Sequence, residues 1–492
     1  MEGIGAYLWA HSYLDVSLRP DGGEVAYVAE LSGARRGWRR PVDGGPARLL
    51  VLPSDRDARR VAWNPAGSHL AVGVGGERVF VVDAAGRDTR ELGAREASPL
   101  RLGTKPWSPD GGVLAVASGA GTLALLDVER GLLRALLRAP CRADAHAWSC
   151  DGRFLCAALR LAPDHDDVIV VDRETGGVEP LTADRPAARR TPLGFTGDGS
   201  ALYLLSDEGR EHPGLARLDR RTGEFDWVKT PEWDVDIASM SDDGRWILYG
   251  VNEDASHRLR LLDRNSGREP ELPALPQGAC YAAALTPDGT RAAVLWSSSG
   301  RPAGVLVFDL VRRTLQEVTR GDDPEPRDAV DAQAVRVESF DRKIPALLYR
   351  PGGAGPGAPG AVVLSPEGPA RADYKPLVQL LVSRGILVLV PTVRGSPGYG
   401  RSFERLARGG DEWRDAAAAA HHLVEHEGVA PDRLLLLGSH GRALECAHAG
   451  GAPWRAAVDL GGLPPPRPAP LPYLPVGEGA LEEAAEFLLA HA

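Results

Sequence analysis

Trp107-Ser108-Pro109-Asp110-Gly111 is one copy of the turn that decides the fold of this chain. The pattern, apolar-x-x-Asp-Gly ahead of an apolar strand, recurs at 18–22, 63–67, 148–152, 195–199, 240–244 and 285–289. Its glycines are spaced 45, 44, 41, 47, 45 and 45 residues apart, with Ala66 in place of the aspartate in the second copy. Asp or Pro ahead of Gly supplies a tight β-turn, and the flanking residues read as strands. A second motif, apolar-apolar-Asp followed by a glycine, trails each copy, as at Val82-Asp83 to Gly86 and Val171-Asp172 to Gly176. Two hairpins per repeat make a four-stranded blade, so seven copies predict a seven-bladed β-propeller over roughly 12–325. The repeated aspartates are expected to cap their own turns. Trp63, Trp107 and Trp148, at matching positions, are expected in the core.

Composition narrows the function. The 492 residues carry a formal charge of −10 and no basic tract, which argues against a nucleic-acid or anionic-membrane partner. No apolar run approaches the ~18 residues of a membrane span, and residues 1–6 show no secretory signal pattern. The five cysteines are scattered without a Cys-x-x-Cys pair, as expected for reduced, buried thiols, and a cytoplasmic location is expected.

The rhythm changes after Gly321-Asp322-Asp323-Pro324-Glu325-Pro326-Arg327. Strand-like runs at 335–337, 346–349, 361–364, 386–390 and 434–437 alternate with helical periodicity at 374–384 and 415–427. That alternation predicts a mostly parallel sheet with crossover helices. The domains are read as 1–330, the propeller, and 331–492, a shortened α/β-hydrolase. Within the second, Gly438-Ser439-His440-Gly441-Arg442 follows a buried strand where a nucleophile elbow, Gly-x-Ser-x-Gly, would lie. One frame makes Ser439 the nucleophile but puts Leu437 at the first glycine. The other keeps Gly438, makes His440 the elbow residue and puts Arg442 at the second glycine.

Further segments resemble the prolyl oligopeptidase family in its acylaminoacyl-peptidase-like branch. Ser339-Phe340-Asp341-Arg342-Lys343-Ile344-Pro345-Ala346 looks like its entry strand, and Val393-Arg394-Gly395-Ser396-Pro397-Gly398-Tyr399-Gly400 like its glycine-rich loop. Asp432-Arg433 and Trp454-Arg455-Ala456-Ala457-Val458 also fit. The resemblance implies a serine-hydrolase site between propeller and hydrolase, short peptide substrates, and Tyr399 as an oxyanion-hole hydroxyl. It also implies two departures. Ser365-Pro366-Glu367-Gly368-Pro369 stands where the family has a His-Gly-Gly-Pro run, and Ala480 stands where its histidine belongs in Gly477-Glu478-Gly479-Ala480.

Acyl transfer needs a nucleophile, a base, an orienting acid and an oxyanion hole. The proline-rich bridge 464–472 occupies the place of the acid-bearing strand and loop, and is expected to lie along the sheet edge. Asp459 is the remaining acid candidate. His448, His491, and the trio His421, His422 and His426 offer neither a base nor a metal set. No cofactor or metal is expected. The leading reading is a family member that has lost its triad and binds a short peptide, a small molecule or a protein partner between its domains or on the propeller. The alternative is an active serine hydrolase, peptidase or esterase, with Ser439 served by a histidine from elsewhere. Oligomeric state is not legible.

Overall fold

The computed structural model describes residues 5–8, 12–31, 33–53, 56–76, 78–93, 99–119, 121–319, 326, 328–364, 370–406, 411–461, 471–477 and 480–492. Seven antiparallel sheets follow one another along 12–317, each built from one contiguous stretch of chain. This is the seven-bladed propeller. Six blades have four strands and the sixth, 234–263, has three. A fourth strand was expected there. Pro270, Pro273 and Pro276 follow in place of it, and proline cannot donate to a ladder. The segment is held by side chains instead: Tyr249 donates to Glu269 at 2.6 Å, while Leu272 and Leu275 pack on the neighbouring blade.

Among the described residues no strand is shared between the first and last blades, and the ring closes by packing. Tyr13, Val16, Val25 and Tyr27 bury against Leu295, Val305 and Val307, and Arg291 donates to the Gly22 carbonyl at 2.8 Å. The repeated turn works locally, as in the fifth blade, where the Asp198 carboxylate accepts from the Thr196 hydroxyl at 2.6 Å and the Ser200 amide at 3.1 Å. Trp63, Trp107 and Trp148 are all buried.

The second domain is a seven-stranded sheet of β1 (Gln333–Glu338), β2 (Lys343–Tyr349), β3 (Gly360–Val363), β4 (Leu387–Pro391), β5 (Leu434–Ser439), β6 (Trp454–Leu460) and β7 (Tyr473–Val476). Their order across the sheet is 1-2-4-3-5-6-7; β1 and β2 are antiparallel to their neighbours and the rest are parallel. Helices α1 (Pro376–Ser383), α2 (Glu412–Glu427), α3 (Arg442–Ala449) and α4 (Leu481–His491) cover the faces. The apolar runs of β3, β4 and β5 are buried throughout, as central parallel strands covered on both faces require.

The domains meet at the end of the propeller that carries the second-to-third-strand turns of blades five to seven. Arg189 forms a fork-to-fork pair with Glu404 at 2.9 Å on both arms. The fully buried Gln379 amide on α1 donates to Ser299 and Val330 carbonyls at 2.7 and 2.8 Å and accepts from the Val330 amide at 3.0 Å. Behind this seam, the fully buried Asp415 carboxylate takes two side-chain bonds from Arg394, at 2.8 and 3.0 Å.

Two expectations follow. Asp415→Ala strands a buried guanidinium and should cost about 3–5 kcal/mol in urea unfolding, whereas Lys343→Ala, on an exposed pair, should cost under about 1 kcal/mol. The turn aspartates set an acid limit. The Thr196 hydroxyl first, then the Ser200 amide and hydroxyl, hold Asp198 down at about 2, from 3.8. A depressed folded value gives stability that is full above the unfolded pKa and lost as pH falls through the folded one. Stability should therefore drop between about pH 4 and about pH 2, with Asp198→Asn removing its share of that drop in circular-dichroism titrations.

Candidate functional site

β5 runs into α3 through two residues of positive φ, His440 at 54° and Gly441 at 87°. A left-handed conformation costs a residue with a Cβ roughly 1–2 kcal/mol, so His440 is held there by its surroundings. Gly438 supplies the close approach on the strand side: a Cβ there would stand 2.7 Å from the Ala443 amide nitrogen and 3.0 Å from the Ala443 Cβ. The tight-packing glycine is thus two residues before the positive-φ position, with Ser439 between them. Ser439 points inward and is 8% exposed, and its Oγ has no hydrogen-bond partner among the described residues. His440 projects outward from the turn and is exposed.

The amides around this turn are committed. In an elbow, the backbone N–H of the residue after the nucleophile faces the oxyanion. The His440 amide, which would serve Ser439, donates to the Leu460 carbonyl at 3.0 Å. The Gly441 amide, which would serve His440, donates to Asp459 Oδ1 at 2.8 Å. The other oxygen of Asp459 accepts from the Ala443 and Leu444 amides at 3.1 and 3.4 Å. Asp459 is fully buried at the end of β6 and satisfies the N-terminus of α3, where a carboxylate also meets the positive end of the helix dipole. Its carboxylate therefore contacts backbone amides of the turn and of α3.

Tyr399 faces the propeller. Its hydroxyl donates to Asp254 Oδ1 at 2.9 Å, and Arg336 donates to the same carboxylate at 3.0 and 3.2 Å. Its ring meets Trp233 edge-on at 5.8 Å between centroids and Phe403 at 6.0 Å. Burial, then the Asp254 charge, pushes the phenol far above its usual range. The structure thus brings Ser439, His440 and Asp459 to one turn and places Tyr399 in the domain seam. Nothing in the sequence around Glu253-Asp254-Ala255-Ser256, a plain hairpin turn, marks Asp254 as Tyr399's partner.

The histidines lie elsewhere. His448 Nδ1 meets its own helix at the Leu444 carbonyl, His491 Nδ1 meets the Phe487 carbonyl, and His422 and His426 stack on each other at 4.8 Å. Beside α3, Leu364, Trp413, Arg442 and Cys446 enclose a cavity of about 250 Å³ with Glu412 and Glu445 on its wall. Burial pushes the Cys446 thiol up to about 12, so it stays protonated and unreactive near neutral pH. No group of three or more potential metal ligands occurs among the described residues. Beyond β6 the chain adds one strand: β7 pairs parallel with β6, and Pro472 accepts from the Ala457 amide at 2.9 Å. Segments 365–369, 462–470 and 478–479 lie outside the described residues, and the expected path of Pro464 to Pro472 along the sheet edge lies outside them as far as Pro470.

Replacing His440 by glycine should leave stability unchanged or raise it by up to about 1 kcal/mol, since glycine adopts positive φ freely. Gly438→Ala should cost about 1–3 kcal/mol by driving a methyl into Ala443. Thermal unfolding of the two variants beside the parent checks both signs.

With this geometry in place, comparison with known proteins is informative. Residues 373–454 match the model of the prolyl oligopeptidase family. The chain is 24% identical over 463 residues to dipeptidyl aminopeptidase BIII of Pseudoxanthomonas mexicana, covering 86% of this chain and 66% of that protein, or about two thirds of its length. In fold it is similar to a puromycin-hydrolyzing peptidase of Mycobacterium tuberculosis, with a TM-score of 0.77 at 18% identity over 94% of this chain and 78% of that one. It is also similar to a puromycin hydrolase mutant complexed with PGG, with a TM-score of 0.78 at 21% identity over 94% of this chain and 78% of that one.

Proposed function

We propose, for a chain that is a relative of the prolyl oligopeptidase family, that the hydrolase domain no longer performs acyl transfer and that the protein acts by binding a short peptide or a partner where propeller and hydrolase meet. The observation that carries this reading is the commitment of both candidate oxyanion amides. An oxyanion hole works because its donors are aimed at a site where charge develops, and one such donor is worth roughly 3–4 kcal/mol of transition-state stabilisation. Here the His440 amide is held by the Leu460 carbonyl and the Gly441 amide by the Asp459 side chain. Freeing the Gly441 donor leaves the fully buried Asp459 carboxylate one partner short, which opposes the rearrangement.

The remaining parts agree. Tyr399's hydroxyl is spent on Asp254, and Ala480 stands where the family's histidine belongs. Catalysis by Ser439 needs an imidazole within about 3 Å of its Oγ, and none of the described residues bonds that atom. A peptide is the ligand favoured for binding, because the relatives with established names are peptidases of the same two-domain build.

A fluorophosphonate probe, read by mass spectrometry on the folded protein, should leave Ser439 unmodified. Stoichiometric adduct at Ser439 that disappears in Ser439→Ala would overturn the loss of acyl transfer. Binding is tested separately. Pools of short peptides should raise the thermal midpoint in proportion to log concentration, and Asp254→Ala, which releases Tyr399, should alter the response. A flat midpoint across every pool would remove the binding half of the proposal.

A further inference from the structure

Three successive blades place an arginine in the groove on the preceding blade, and the groove before them has none. The residue after the aspartate that ends the third strand is Arg173 in the fourth blade, Arg220 in the fifth and Arg264 in the sixth, against Ala84 in the second and Leu310 in the seventh. Arg173 donates to Asp110 of the preceding blade at 2.9 Å, and its guanidinium lies 5.8 Å above the Trp148 ring. Arg220 stands 5.6 Å over Phe195, and Arg264 stands 5.7 Å over Tyr203. Each guanidinium fills a groove between two blades. These grooves adjoin the first turn of each blade, the end opposite the second-to-third-strand turns that touch the hydrolase domain.

In the third blade the same position is Val128, and the residue matching Asp110 in the blade before it is Ala66. Trp107, the counterpart of Trp148, has no guanidinium over its ring among the described residues. A cavity of about 530 Å³ lies there, with Trp107, Val81, Val128, Pro65 and Ala66 on its apolar side and Asn64, Ser68, His69 and Arg90 on its polar side. That volume and mixed lining suit a small amphipathic ligand.

The charge at the edge selects the ligand. Arg90 donates to the Glu129 carbonyl at 2.9 Å and to the Val128 carbonyl, and it pairs with no carboxylate among the described residues. The one carboxylate in the wall, Asp110, is taken up by Arg173 at 2.9 Å and the Ser108 hydroxyl at 2.5 Å. A cationic ligand would sit where Arg173 sits in the next groove, but Ala66 removes the carboxylate that would hold it and Arg90 repels it.

We propose that this groove between the second and third blades binds a small amphipathic carboxylate, its ring or short aliphatic tail against Trp107 and Val128 and its carboxylate on Arg90. 4-Phenylbutyrate and 4-phenylbutylamine, matched in size and opposite in charge, provide the test by titration calorimetry on the full chain. The carboxylate should bind at least about tenfold more tightly than the amine, the scale of one charge-assisted hydrogen bond. Ala66→Asp with Val128→Arg rebuilds the pair seen in the next groove. It should weaken phenylbutyrate at least about tenfold by the same reasoning, with the thermal midpoint held or raised. Should that variant fail to fold, Val128→Arg alone serves. Arg90→Gln should erase the preference between the two probes while leaving the weaker binding in place. No phenylbutyrate binding to the parent chain, equal binding of both probes, or unchanged binding after the groove is refilled would each overturn the proposal.

Discussion

The ion pair of Arg394 with Asp415 is the contact on which the relation between the two domains rests. Both partners are almost wholly out of water, the guanidinium side chain 5% exposed and the carboxylate 0%. Such a pair persists only when nearly every donor and acceptor is satisfied. It is here: Asp415 also accepts from the Arg394 amide at 2.8 Å and the Ser339 hydroxyl at 2.7 Å, while Arg394 reaches Asp341 at 3.0 Å and stacks over Phe340 at 4.1 Å. The glycine-rich loop that follows is thereby anchored at its base. Everything it presents to the propeller depends on that anchoring: Tyr399 on Asp254, Arg401 on the Asp207 carbonyl at 3.0 Å, Ser402 on Glu211 and Glu404 on Arg189.

On the proposed function, the same economy explains how a hydrolase shell is stable and yet poorly disposed to acyl transfer. A catalytic elbow holds its amides unpaired, or paired only to water, so that they are free when charge develops. That costs stability, and a chain released from the demand gains by pairing them. Asp459 and Leu460, adjacent at the end of β6, provide the acceptors. The turn itself keeps its strained shape, because the packing of Gly438 on Ala443 fixes the angle between β5 and α3 whatever the side chain at 440.

The propeller shows the complementary lesson of a repeat. Its blades obey common turn chemistry, so a departure from the repeat stands out against six other copies. The three-stranded sixth blade is a departure of this kind, and the groove at Ala66 and Val128 departs from the arginine-filled grooves of the three blades that follow it. The first was not legible as a missing strand, because its leading hairpin and its closing Asp-x-x-x-Gly motif, Asp263 to Gly267, are intact; only three later prolines replace the ladder. The second was half legible, since Ala66 breaks the motif, but its partner change at Val128 acquires meaning only once the blades are seen side by side.

What the sequence determined by itself was everything carried by local bonding: six turns in which an aspartate caps the amide two residues on, a seventh with Ala66 in its place, the strands they join, and the alternation of buried strands and helices in 331–492. These interactions close within a few residues, so their signature is written contiguously. The family's motifs at 393–400 and 432–443 were legible for the same reason. Only the tertiary structure decided how the turn and Tyr399 are bonded. Which residue takes positive φ is set by the packing of β5 against α3. Which acceptor takes the His440 and Gly441 amides is set by the register of β5 on β6, and Tyr399's partner stands 145 residues away on another domain. A hydrogen bond between distant segments depends on how two independently folded surfaces meet, and no local pattern records that.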